Sequence, residues 1–329
     1  MGGWDPTGGR EDCWAAAPSA TRKIVARCEF LIRIARDLSA LDVPAPAKIN
    51  LFLAVTGRRQ DGFHDLVSVA APLAWGDSIS VEAAGRSFSV SCDLPGIPVD
   101  ATNLVIKAAA AFARAAGWRG GARFSITKKV PAGAGLGGAS SDAASALVAL
   151  NALAGRPLDD AGLARVASGV GSDCALFLSR GPVVMRGRGE RVGPLSPAAS
   201  GRIRGRRVLV FKPGFAIPTA WAYARLAGSG RPYVPAADAE SRLASWIAGP
   251  AAAEALLFNS MEGPAFAKFA ALPILLDSVR TRFGVAAAMS GSGSACFALL
   301  REDSDAGPIA AAIGEAWGPS ALVVDTRIA

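Results

Sequence analysis

Apolar and polar positions alternate over Ala122–Val130, where Ala122, Phe124 and Ile126 interleave with Arg123, Ser125 and Thr127, and this predicts a half-buried strand. From Ser140 to Ala154 the pattern changes to alanine and leucine at helical spacing, which predicts a helix. Upstream, Pro44–Val55 alternates as a strand but is interrupted by Lys48 and Asn50. Short strands over Leu66–Leu73, Ser78–Ala83 and Ser87–Ser91 are expected to form an antiparallel meander, followed by a helix over Asn103–Ala116. Pro157–Ala167 reads as a further helix, and Val170–Leu178 as an apolar run with Ser172 and Asp173 at its mouth. Between Arg180 and Arg207 the chain is rich in Gly, Pro and Arg, as a linker with short strands would be. Beyond it the pattern predicts a strand at Arg207–Lys212 and helices at Thr219–Leu226, Asp238–Ile247 and Ala265–Phe283. A hairpin over Val285–Leu300 turns at Ser290–Ser294.

The junction between the first strand and helix, Pro131–Asp142, holds glycines at 133, 135, 137 and 138. Glycine loses more conformational freedom on folding than any other residue, so such a cluster signals backbone brought close to something else. At a strand-to-helix loop, the free N–H groups of the first helical turn and the positive end of the helix dipole favour an anion such as phosphate. The loop is not a Walker A motif, because Gly138 is followed by Ala139 and Ser140 instead of Lys and Ser/Thr. Gly133, Gly135 and Gly138 fit Gly-x-Gly-x-x-Gly, but the second strand ending in an acidic residue that a dinucleotide fold needs is replaced by the helix at 157–167. Ser290–Ser294 is a second loop bare of side chains, and two such loops in different halves suggest a shared cleft.

With 329 residues, the chain is long enough for two domains, each with its own core. No run of about 20 apolar residues occurs, so no spanning helix is expected. The five cysteines are scattered without a C-x-x-C pair, as reduced thiols are, and one histidine with no cysteine cluster offers no transition-metal site. The net charge of +8 suits an anionic substrate. The basic stretches Arg186–Arg191 and Arg202–Lys212 read as solvated loop and strand flanks and are not interleaved with the exposed aromatics that a single-strand binder stacks on, which makes nucleic-acid binding the minor reading. Residues 1–43 read as a poorly ordered extension in which Arg22–Leu41 could form a short amphipathic helix. Its acidic residues argue against a secretory or mitochondrial leader.

Individual side chains carry less. A lysine within a strand, as at Lys48, is costly to bury unless paired, and otherwise points to water at an edge. Asp173 reads either as a helix cap or as a carboxylate presented for base chemistry. His64, at the end of the turn-rich Gly57–His64 connection, is by itself an ordinary polar residue.

Taken together, these stretches resemble the GHMP kinases, small-molecule kinases named for galactose, homoserine, mevalonate and phosphomevalonate. Pro131–Asp142 is similar to their phosphate-binding motif, and Ser290–Ala295 to their C-terminal glycine motif. Ala47–Leu53, Arg59–His64, Gly135–Asp142 and Lys212–Thr219 are most similar to the branch acting on 4-diphosphocytidyl-2-C-methyl-D-erythritol in the non-mevalonate isoprenoid pathway. The resemblance covers roughly 44–329. It implies an α+β, two-domain GHMP kinase fold: an N-terminal antiparallel-sheet and helix domain over 44–185, a C-terminal ferredoxin-like α/β sandwich over 186–329, and an active site in the cleft between them. It also implies a cytoplasmic monomer or weak homodimer using ATP and Mg²⁺, with no nucleic-acid or membrane partner.

Carried over by position, Lys48 and Asp173 become the catalytic pair. The ATP site becomes Asn103, Lys128, Pro131, Ala132, Gly133, Ala134, Gly135, Leu136, Gly137, Gly138, Ala139, Ser140 and Ser141. The acceptor side becomes Asn50, Phe63, His64, Asp142, Thr219, Gly291 and Ser292, with Phe63 and His64 on the cytosine ring. Phe63 departs from the tyrosine common in the family: it keeps the stacking face and loses the hydroxyl. The alternatives are another acceptor within the superfamily, homoserine or mevalonate, or a nucleotide-binding protein without catalysis.

Overall fold

The computed structural model describes residues 40–179, 181–230 and 232–329. Most of the expected N-terminal extension and of the helix expected over 22–41 therefore lies outside the described residues. Ala40 and Leu41 already belong to a strand, β1 (Ala40–Arg58), which pairs antiparallel along its length with β2 (His64–Ala83). The two strands expected at 66–73 and 78–83 are thus one. β3 (Phe88–Cys92) leads to α1 (Leu104–Ala116), which Asn103 caps by accepting from the Val105 N–H at 2.9 Å. β4 (Ala122–Thr127) follows and lies between β2 and β3, antiparallel to the former and parallel to the latter. The expected meander is corrected by this crossover. The helix between β3 and β4 permits the parallel pairing that a tight turn cannot.

α2 (Gly138–Leu153) and α3 (Asp160–Val170) pack with α1 against this sheet, around Phe112, Phe124, Leu147 and Leu150. β5 (Val183–Gly187) returns to pair with β2, and β6 (Arg191–Pro194) pairs with β5. The stretch expected as a linker therefore extends the first sheet to Pro194, and a boundary at 185 would cut through β5.

After the short helix α4 (Pro197–Gly201) come β7 (Arg207–Lys212), α5 (Thr219–Ala227) and α6 (Ala236–Ala248). β8 (Phe258–Asn259) adds a parallel edge beside β1. The helix expected over 265–283 is two, α7 (Glu262–Lys268) and α8 (Ala271–Phe283). Pro273 has no N–H to bond to Phe269 and crowds its carbonyl, so one helix cannot run through. β9 (Ala286–Met289) and β10 (Cys296–Leu300) form the expected hairpin. α9 (Gly307–Trp317) and β11 (Leu322–Arg327) close a second, fully antiparallel sheet in the order β11-β7-β10-β9. One apolar cluster joins the sheets, with Ile49, Leu51 and Val69 of the first beside Val208, Val210 and Phe297 of the second. No helix among the described residues is long and apolar enough to cross a membrane.

Candidate active site

Lys48 and Asn50 face the same way on β1, while Ile49 and Leu51 are buried in the core. Register shifts between Pro46 and Lys48 and between Asn50 and Phe52 bracket the pair, so irregular strand geometry aims both side chains. Lys48 is buried and its ammonium lies 3.7 Å from the Asp173 carboxylate, which is one-third exposed. Its Nζ also donates to Asn50 Oδ1 at 2.5 Å. Burial lowers the Lys48 pKa below the ordinary lysine value, opposed by Asp173. Asp173 sits in the turn before the 3₁₀ segment Ala175–Leu178, where no side chain caps. The capping explanation for Asp173 is thereby set aside.

The glycine loop runs from β4 to α2, with φ of +62°, +75° and +74° at Gly133, Gly135 and Gly137. It rests on the Ser290–Ser294 loop. Ser290 Oγ donates to Gly135 O at 3.0 Å, Ala295 N to Ala134 O at 3.0 Å, and Ile217 N to Gly133 O at 3.1 Å. Part of the glycine requirement is therefore contact between two stretches of backbone. The first-turn N–H groups of α2, which have no partner within the helix, remain available to an anion.

Lys128 donates to both Asp77 and Asp142, the latter at 2.9 Å, and all three are buried. Asp77 also accepts the backbone N–H of Val130 at 2.7 Å, which ties down the entry to the loop. Burial pushes the Asp142 carboxyl up to about 7 against the pull of Lys128, and Asp77 adds to the rise. Its Oδ1 has no hydrogen-bond partner.

At the other end, His64 packs against the chain's two tyrosines, 5.0 Å from Tyr223 and 5.8 Å from Tyr233 between ring centroids. Burial, then Arg58, holds its pKa below the ordinary histidine value. Phe63 is half exposed, with the Arg188 guanidinium 4.8 Å above its ring. Thr219 and Ser292 share a 3.0 Å hydrogen bond.

One cavity of about 1110 Å³ joins all of this. It is lined by every expected site residue except Ser141, along with Tyr223, Arg188, Ser68, Ile97 and Pro98. Ser141 is fully buried and its hydroxyl, without a partner, is no donor into the loop. One step further round the helix than Ser140, it turns inward. Asn103 reaches the cavity, but its amide is engaged in capping α1 and in donating to Pro98 O at 2.6 Å. Tyr223 went unnoticed in the sequence although it follows Thr219 by four residues, one helical turn. Asp77 and Ser68 carried no local signal.

Two family models match the chain, GHMP kinases N terminal domain over residues 103–181 and GHMP kinases C terminal over 248–319. A 4-diphosphocytidyl-2-C-methyl-D-erythritol kinase of Methylacidiphilum infernorum is 36% identical over 79% of this chain and 86% of its own length. Its counterpart from Thermus thermophilus is 38% identical over 83% of this chain and 92% of its own. A crystal structure of 4-(cytidine 5'-diphospho)-2C-methyl-D-erythritol kinase superposes with a TM-score of 0.69 and 35% identity, covering 88% of this chain and all of that one.

Proposed function

The chain belongs to the GHMP kinases, and we propose that it transfers the γ-phosphate of ATP to the 2-hydroxyl of 4-diphosphocytidyl-2-C-methyl-D-erythritol. The observation that carries this reading is the shared cavity. The Lys48–Asp173 pair lies in it, with the glycine loop and the N-terminus of α2 on one side and the Phe63–His64–Tyr223 recess on the other. Phosphoryl transfer is mainly positioning and charge stabilisation. The α2 N–H groups hold phosphate oxygens, the Lys48 ammonium offsets charge on the transferring group, and Asp173 orients the acceptor hydroxyl and takes its proton. The aromatic recess offers flat faces to a pyrimidine, and Arg58 and Arg188 offer charge to its diphosphate.

Among the described residues no group of three or more His, Cys, Asp or Glu side chains could cage a metal. Magnesium bound with ATP needs only one or two carboxylates besides the phosphates, and the unpartnered Asp142 Oδ1 beside the loop suits it. Its contribution would be neutralisation of phosphate charge. The reading carries with it a cytoplasmic enzyme, monomeric or weakly dimeric. Homoserine and mevalonate as acceptors leave the Phe63–His64 recess without a purpose. A coupled kinase assay with the cytidine compound, mevalonate and homoserine side by side tests the choice. Turnover with the cytidine compound alone is expected, and turnover with another acceptor alone would discard the assignment.

A further inference from the structure

The polar chain behind Lys48 has only one consistent set of donors. An ammonium donates and cannot accept, so the Asn50 amide atom 2.5 Å from Lys48 Nζ must be the carbonyl oxygen. The amide NH₂ then faces Ser68, and Asn50 Nδ2 donates to Ser68 Oγ at 2.9 Å. Ser68 has a single hydroxyl proton, and it goes to the carbonyl of Phe52 at 2.6 Å. That carbonyl lies at the register shift between Asn50 and Phe52. Both ends of the chain are fixed by groups that cannot reverse, a donor-only ammonium and an acceptor-only carbonyl. Everything between them is oriented as a result, and Lys48, Asn50 and Ser68 are all buried against the wall of the cavity.

From this geometry we propose that Ser68 is a positioning residue for the transfer step, fixing the Asn50 amide so that its carbonyl faces the Lys48 ammonium. Without the Ser68 oxygen, the Asn50 NH₂ is left unpaired in a buried site. The amide then lacks the contact that holds its plane, so its carbonyl drifts from the Lys48 ammonium and Lys48 loses a well-placed neutral acceptor. The inference rests on the reading of Lys48 as the cation of phosphoryl transfer. The groups facing the ammonium are Asp173 from the turn after α3, Asn50 from its own strand, and the backbone at Gly291; of these only Asp173 is charged.

The test uses the full chain and two readouts. One is kcat and KM with ATP and the cytidine acceptor. The other needs no substrate: the pH titration of the Lys48 ε-carbon by NMR, assigned with Lys48→Met. Ser68→Ala and the near-isosteric, weakly hydrogen-bonding Ser68→Cys are each expected to lower kcat on the order of 10-fold to 100-fold, with KM for ATP within about twofold. Both should move the Lys48 titration to lower pH, and Ser68→Thr, which keeps the hydroxyl, should restore both properties. Wild-type kcat and an unmoved titration in whichever of the Ala and Cys variants folds would overturn the proposal. A titration that moves as expected in a chain that phosphorylates only a different acceptor supports the hydrogen-bond chain and discards the acceptor alone.

Discussion

A Cβ on Gly135 would stand 2.2 Å from the carbonyl oxygen of Ser290, so the two glycine-bearing loops meet backbone to backbone. Neither carbonyl nor chain can give way there, because Ser290 Oγ and Ala295 N already bind the first loop. Gly135→Ala combines this collision with a left-handed φ of +75°. The expected loss is about 3 kcal/mol or more, at the large end for a single substitution. Gly155 has a similar φ of +79° but open space around it. Gly155→Ala should cost only the backbone strain of about 1–2 kcal/mol. Urea unfolding of the two variants side by side measures the difference, and equal losses would mean that the loop contact contributes little.

Asp173 faces Lys48 from a turn whose cap geometry does not use it, and under the proposed function its carboxylate takes the proton of the acceptor hydroxyl. Asp173→Asn is expected to lower kcat by about 10²-fold or more with little change in KM, since a base acts in the transition state and not in ground-state binding. Lys48 also loses the one charge that opposes the effect of burial on its pKa. The basic limb of the kcat profile should therefore move to lower pH in whatever activity remains. Near-normal turnover would remove Asp173 from the mechanism.

The Asp142 carboxyl is protonated more readily in the fold than in the unfolded chain, because burial raises it to about 7. A folded pKa above the unfolded one adds stability that is complete below the ordinary carboxylate range and is lost as pH rises through about 7. Asp142→Asn keeps the shape and removes the titration. The stability of the wild type relative to this variant should fall between about pH 4 and pH 7 and then level off. Unfolding curves across that range test it, and a difference independent of pH would mean that Asp142 ionises as an exposed carboxyl does.

The parts of the site that lie close together in the chain were legible before the structure. The glycine loop carries its pattern within about ten residues, which local propensity and turn chemistry express, whereas Lys48, Asn50, Phe63 and His64 read locally as ordinary residues and stand out only through the resemblance of their stretches to the family. Asp77 and Lys128 lie far apart in sequence, and their meeting depends on β2 and β4 pairing, which no local window contains. The parallel seating of β3 beside β4 was hidden for the same reason, since each strand alone reads as half-buried. By contrast, the break between α7 and α8 was written in Pro273, and the inward turn of Ser141 in helical periodicity.

Arg188 and Phe63 form the exposed lip of the aromatic recess, with the guanidinium over one face of the ring. The tight turn between β5 and β6 aims the arginine there, its backbone N–H donating to the Glu190 carboxylate at 2.7 Å. Under the proposed function, a base stacking on the face that Arg188 covers would displace the guanidinium and free that cation for the diphosphate beside the base. Phe63→Ala removes the stacking surface and should raise KM for the cytidine acceptor about tenfold or more, with KM for ATP unchanged. Phe63→Tyr keeps the face and should stay within about threefold of wild type. Arg188→Gln should raise the same KM severalfold at low salt, and the gap should narrow as ionic strength rises because the interaction is exposed and coulombic. Steady-state kinetics at two salt concentrations separate the two effects: a Phe63→Ala defect that persists in high salt is stacking, and one that disappears with salt would assign the lip to charge alone.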